Sequence, residues 1–445
     1  MRFDIDKQTI RDLELFPERR NDKSILSVYN KTETVGGREF LYKVFSSPVS
    51  NRELLENRKN EINFFVNNAC SITFNSGQLD FIEYYFRNQK APLRPNFIDA
   101  AADKVKNLFK ENNDYYTITQ GISHIIRLFG KLKVFINEAR MVNVPETLNH
   151  DFERVISFIS SKSLNSILAQ SGALSFSQIN NLDYLLRYKV KNEFREVVDV
   201  VYKIDVLQTL AGLMKNEDFT LPEYLAGENT GFEVSNAFHP LLSSPVSNSF
   251  SFTHGSNLCF ITGPNMSGKS TFLKTMGLMV YLAHLGFPVP AKRLSLSLFD
   301  GLYTTINLPD NLNLGYSHFY SEVKRVKDLV VKIDTDKRHF IIFDELFRGT
   351  NVKDAYDASL IIMSALAKIQ NNLFFISTHI LEVAENIENK ESILFRCFES
   401  ELVDKTPVYD FRIKNGISKE RVGLSIIKNE DIIEILEKIV SKQKQ

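Results

Sequence analysis

The chain has 445 residues, room for two or three domains, and 43% of them are hydrophobic, enough for sizeable cores. Its 54 Lys and Arg balance 54 Asp and Glu, which excludes a broadly basic nucleic-acid binder and leaves any DNA contact to a local patch. The cysteines at 70, 259 and 397 have no paired spacing, so a disulfide set and a cysteine metal cluster are excluded and a reducing compartment is expected. The opening residues, MRFDIDKQ, hold no apolar signal core, and no run of about 18 apolar residues occurs. A cytoplasmic protein without a membrane partner is the expectation.

Residues 1–215 read as mostly helical. Helices are expected over 51–68, 95–111, 117–140, 150–161 and 193–214, with breaks at Ser47-Pro48, 91–95 and Val144-Pro145. Gly36-Gly37 reads as a turn between two helices. Arg187, Lys189, Lys191 and Arg195 are interleaved with Tyr184, Tyr188 and Phe194, and a second basic spot joins Arg127, Lys131 and Lys133. DNA phosphates would need such charge, but a solvated helix face explains both spots and is the preferred reading. The triplets Phe16-Pro17-Glu18 and Phe81-Ile82-Glu83 read as incidental in a chain with 35 Phe.

Polar residues, Pro and Gly gather over 215–230, where a second domain is expected to begin, giving domains at 1–215 and 216–445. His239 reads as a buried, hydrogen-bonded core histidine. The apolar run 258–262 leads into GPNMSGKS, Gly263 to Ser270, which fits the phosphate-loop spacing G-x-x-x-x-G-K-[ST]. Backbone N–H groups must converge on phosphate oxygens there, and Gly263 and Gly268 allow the close approach. Pro264, Asn265, Met266, Ser267 and Thr271 complete the expected nucleotide-binding loop. Lys269 would reach the β- and γ-phosphates, and Ser270 would ligate Mg²⁺. Phe272, Met276, Met279 and Val280 follow at helical spacing, and a helix starting here aims its positive end at the anion.

A second motif, HFIIFDE, ends in Asp344-Glu345. Ligands of open α/β sheets sit beyond the carboxyl ends of strands. Asp344 would therefore hold Mg²⁺, and Glu345 would act as general base on the attacking water. A third apolar run, 373–377, precedes Thr378-His379, where His379 could sense the γ-phosphate and steady the water.

Taken together these motifs resemble the MutS family of mismatch-repair ATPases. The resemblance is carried by GPNMSGKST, by the acidic pair with LFRGTN after it, and by an N-terminal series: Leu13-Glu14-Leu15, Asn30, Thr32, Thr34, Gly36-Gly37-Arg38, Pro48 and Arg58. Order and spacing agree from about Leu13 to about Ile426. The resemblance implies an ABC-like P-loop NTPase, with a mostly parallel sheet flanked by helices, preceded by an all-α lever domain. It implies ATP and Mg²⁺ as ligands, slow switch-type hydrolysis, a homodimer through the ATPase domain, and DNA and repair proteins as partners. Ser317, in DNLNLGYSHFYSE, matches the serine that caps the γ-phosphate of the opposite subunit. The aromatic that often stacks on adenine before the loop in this family is replaced around Pro245-Val246, and Phe411 could supply a base-stacking face instead. Ser267 replaces the family's usual Gly, and Tyr316, His318 and Tyr320 depart from its signature loop. The sequence opens at what resembles the core domain, so direct mismatch reading is not expected. An ATP-gated protein-binding scaffold that never contacts DNA is the alternative. The ATP subunit of a membrane transporter fits less well, because the transporter Ser-Gly-Gly loop is absent.

Overall fold

The structure is a computed structural model and describes residues 3–19, 22–87, 113–162, 164–165, 174–215, 218–227, 230–306, 318–333, 336–347, 350–403, 406–418, 435–436 and 439. These fall into two compact units, one of residues 1–28, 47–55 and 216–445, the other of 29–46 and 56–215. The expected boundary at 215/216 is therefore incomplete, because two N-terminal stretches belong to the C-terminal unit.

The helical unit holds Val35–Phe45, most of Arg52–Asn67, and Ser76–Arg87, Asn113–Ala139, Glu146–Ile159, Phe176–Tyr184 and Lys191–Leu213. Among its described residues there is no strand. The expected helix over 95–111 lies outside the described residues, and Ser76–Arg87 was not anticipated. Gly36-Gly37 is not a turn but the first turn of Val35–Phe45. Thr34 caps that helix, its hydroxyl accepting from the Gly37 N–H at 2.8 Å. Asp205 in turn accepts from the N–H groups of Glu33 and Thr34 and from the Thr34 hydroxyl. The two glycines are there for space: a Cβ at Gly36 would run into the Tyr202 ring, and one at Gly37 into the Asp205 carboxylate.

Burial also removes Arg187, one of the four cations of the first basic patch. Arg187 sits in a π-helical turn, Leu185–Lys189, and gives Asp183 two hydrogen bonds at 2.6 and 2.7 Å. Tyr85 Oη adds a third to the same carboxylate at 2.6 Å. Phe194 packs among Phe86, Phe129 and Phe158. In contrast, Arg127, Lys131 and Lys133 stand on an exposed face. Glu83, of the second Phe-x-Glu triplet, accepts from Tyr202.

The second unit is built on a seven-stranded sheet in the order β1-β7-β8-β9-β5-β10-β13. Its strands are β1 (Asp4–Ile5), β5 (Leu258–Thr262), β7 (Gly301–Thr305), β8 (His339–Phe343), β9 (Leu373–Ser377), β10 (Ile393–Cys397) and β13 (Lys414–Asn415). All pairings are parallel except β10–β13. The three apolar runs of the sequence are β5, β8 and β9, buried at every residue, as strands covered on both faces must be. A four-stranded sheet, β2-β6-β3-β4, joins β2 (Glu223–Tyr224), β3 (Phe232–Ala237), β4 (Asn248–Ser251) and β6 (Arg293–Leu296). A hairpin of β11 (Ser400–Val403) and β12 (Thr406–Tyr409) completes the strands.

The N-terminal residues extend the large sheet. β1 pairs with β7. Asp12, buried, accepts from the Thr304 hydroxyl at 2.7 Å and from the Ile306 N–H at 2.9 Å. Thr9 accepts from the Thr304 N–H, and Arg325 pairs with Asp6 at 2.5 Å. The C-terminal stretch over 431–440, expected as a packing or dimer helix, lies almost wholly outside the described residues.

Candidate nucleotide site

The loop after β5 needs its glycines for different reasons. Gly263 has φ +145°, and a Cβ there would meet the Phe398 carbonyl oxygen at 2.7 Å. Gly268 has φ +100° and lies under the Phe411 ring, 3.3 Å from where its Cβ would be. Met266 also adopts a positive φ and is 79% exposed. Helix Lys269–Ala283 starts directly at Gly268, so its free N–H groups and positive dipole end open onto the loop.

Lys269 is buried, and its ammonium donates to the carbonyls of Gly263 and Pro264, each at 2.9 Å. Burial pushes its pKa down, against the pull of Asp344 and Glu345. Ser267 is buried with a hydroxyl that finds no hydrogen-bond partner among the described residues.

The acidic pair follows β8. Burial raises the Asp344 pKa, while hydrogen bonds from the hydroxyls of Ser270 and Ser377 oppose the rise. Those bonds use both carboxylate oxygens, Oδ2 for Ser270 and Oδ1 for Ser377. Glu345 turns out of the strand with φ +54°. Its Oε1 lies 2.7 Å from His379 Nε2. The fold thus brings Lys269, Ser270, Asp344, Glu345 and His379 together from three parallel strand ends. Ser377 was read from the sequence only as a strand end; the signal available was its place directly before Thr378-His379.

A cavity of about 590 Å³ opens beside the loop. Asn265, Met266, Gly268, Lys269, Ser270 and Thr271 border it, as do Glu345 and Phe411. Phe411 is 42% exposed with φ +54°. Asn248 fixes its backbone, donating to the Phe411 carbonyl at 2.9 Å and accepting from the Ile413 N–H at 2.8 Å. His239 borders the cavity too, with its pKa pushed down to about 4 by burial. Ser317, Arg348 and Gly349 lie outside the described residues.

Ser270 and Asp344 offer a hydroxyl and a carboxylate that already touch, the oxygen chemistry a hard divalent cation takes. Among the described residues no group of three or more His, Cys, Asp or Glu could enclose a metal.

Residues 259–445 match the family model for MutS domain V. The mouse (Mus musculus) MutS protein homolog 4 is 28% identical over 271 residues, covering 56% of this chain and 27% of that protein. The DNA mismatch repair protein MutS of Bacillus licheniformis is 29% identical over 268 residues, covering 58% of this chain and 30% of its own. That of Bacillus subtilis (strain 168) is 28% identical over 253 residues, covering 54% and 29%. The chain therefore spans less than a third of the length of these MutS relatives. No helix among the described residues is long and apolar enough to cross a membrane.

Proposed function

We propose that this chain is a MutS-type ATPase that binds ATP with Mg²⁺ on the loop Gly263 to Thr271 and hydrolyses it as a slow conformational switch in DNA repair or recombination. The observation that carries the reading is the convergence of Lys269, Ser270 and Glu345 on one edge of a cavity large enough for a nucleotide, with Asp344 bonded to Ser270 and His379 to Glu345. Lys269 exchanges its two loop carbonyls for β- and γ-phosphate oxygens. Ser270 and Asp344 would hold Mg²⁺, which would supply neutralisation of phosphate charge. Glu345 accepts a proton from the attacking water as its oxygen bonds to the γ-phosphorus. The bond from that phosphorus to the bridging oxygen breaks, and ADP leaves with the electron pair. His379 holds the Glu345 carboxylate at 2.7 Å and steadies the base. Phe411, packed on Gly268, offers a face to the adenine.

By the family resemblance, Ser317 completes the site of a second copy, and ATP joins a homodimer through the ATPase unit. DNA is then the partner whose binding the switch controls, as the names of the MutS relatives suggest. A scaffold that binds proteins instead of DNA is the second reading. Zero net charge and the burial of Arg187 favour it.

Steady-state ATP hydrolysis with and without Mg²⁺ tests the enzymatic part. Gel shifts with duplex and branched DNA at low and high salt separate the two outputs. Binding that weakens steeply with salt supports DNA; no shift at low salt, with or without ATP, leaves the scaffold.

A further inference from the structure

We propose that Ser377 is a positioning residue of the ATPase centre, one hydroxyl that holds the Asp344 carboxylate and the Glu345 backbone in register. The inference rests on the nucleotide reading above and adds a residue that reading does not use.

The geometry is specific. Ser377 is fully buried at the end of β9. Its hydroxyl donates to Asp344 Oδ1 and accepts from the Glu345 N–H at 2.8 Å. Its carbonyl accepts from the Leu346 N–H at 3.2 Å. The β8–β9 ladder ends at the Phe343–Ile376 pair, because Glu345 leaves the strand with φ +54°. Beyond that pair the Ser377 side chain does what a backbone carbonyl does in the ladder. A buried N–H must be satisfied, and a non-Gly residue keeps a left-handed φ only where its surroundings enforce it.

Two consequences follow for the site. Pinning Oδ1 removes the rotational freedom of the Asp344 carboxylate and leaves Oδ2 directed at Ser270, on the side of the loop. Anchoring the Glu345 N–H sets the backbone from which its carboxylate reaches His379. One side chain therefore orients both the metal ligand and the base. Groups that orient a metal ligand typically change metal affinity or activity by about 10–100-fold when removed.

The test compares wild type with Ser377→Ala, Ser377→Cys and Ser377→Thr in the full chain. Binding of a fluorescent non-hydrolysable ATP analogue is measured in EDTA and across a Mg²⁺ titration, together with kcat, KM and thermal melting. For Ser377→Ala, analogue binding in EDTA is expected to stay within about twofold of wild type. The Mg²⁺ midpoint should rise, and kcat should fall, each by about 10-fold or more, with KM at saturating Mg²⁺ little changed. Ser377→Thr, which keeps the hydroxyl, should recover most of both. Ser377→Cys is close in size and a weak donor; it should behave like Ser377→Ala and carries the test if the alanine variant does not fold. Unchanged Mg²⁺ midpoints and kcat in the Ala and Cys variants would overturn the proposal. So would a loss matched by equal loss of EDTA binding and melting temperature. A wild type that neither binds nor hydrolyses ATP defeats the ATPase reading itself; active wild type with unaffected variants defeats only the role of Ser377.

Discussion

Glu345 has a backbone held left-handed, with a carboxylate that touches His379 and borders the cavity. Lys269 and Ser270, which would grip the nucleotide, do not depend on that carboxylate for position. Glu345→Gln should therefore keep ATP affinity within a few-fold while turnover falls by about 10²–10⁴. Equilibrium binding beside steady-state hydrolysis checks this, and normal turnover would remove Glu345 as the base. Such chemistry was readable from the sequence because each motif places its polar residues directly after a continuous apolar run. Ser377 was not readable in that way. A serine at a strand end is common, and only the fold shows that its hydroxyl meets residues 32 and 33 positions away.

At the scale of elements, helix Lys269–Ala283 ends at His284, a buried histidine with a fixed tautomer. Its Nδ1 donates to the Val280 carbonyl at 2.8 Å, and its Nε2 accepts from the Phe299 N–H at 2.9 Å. Burial pushes its pKa down to about 4 from 6.5. The folded value lies below the unfolded one, so the unfolded chain takes up the proton first. His284 therefore costs nothing above the unfolded value, and stability is lost as pH falls from there toward the folded value. Between about pH 7 and about pH 5 the loss should be about 2 kcal/mol. Denaturant unfolding at both pH values reads it, and His284→Gln should remove that part of the slope. An unchanged slope in the variant would contradict the assignment.

Helix Val35–Phe45 makes a different demand. Gly36→Ala drives a methyl into the Tyr202 ring, an overpacking that should cost about 1–3 kcal/mol. Thermal melting checks it, with an unshifted midpoint as the contrary result. The sequence reading took Gly36-Gly37 for a turn because paired glycines usually break helices. Here the pair meets side chains about 170 residues away, close contacts that no local pattern carries.

For the whole molecule, β5, β8 and β9 were legible because strands buried on both faces are unbroken apolar runs. The membership of residues 3–28 in the C-terminal unit was not. β1 has two residues, and its partner β7 begins at Gly301, so the pairing leaves no periodicity to read. Burial likewise removes Arg187 from a patch that looked basic along the chain. Lys189, Lys191 and Arg195 then remain as the cations of that patch. If it contacts DNA, changing these three to Gln should lower the slope of log affinity against log salt by up to about 3. A salt titration of gel shifts measures it, and an unaltered slope would place any DNA contact elsewhere.

The central claim is that the loop Gly263 to Thr271 grips a triphosphate through Lys269. Equilibrium binding of a fluorescent ATP analogue in Mg²⁺, to wild type and to folded Lys269→Ala, tests it most directly. The account predicts saturable binding by the wild type and a loss of at least about tenfold in affinity in the variant. Equal affinity in the two proteins, or no binding by the wild type, would contradict it.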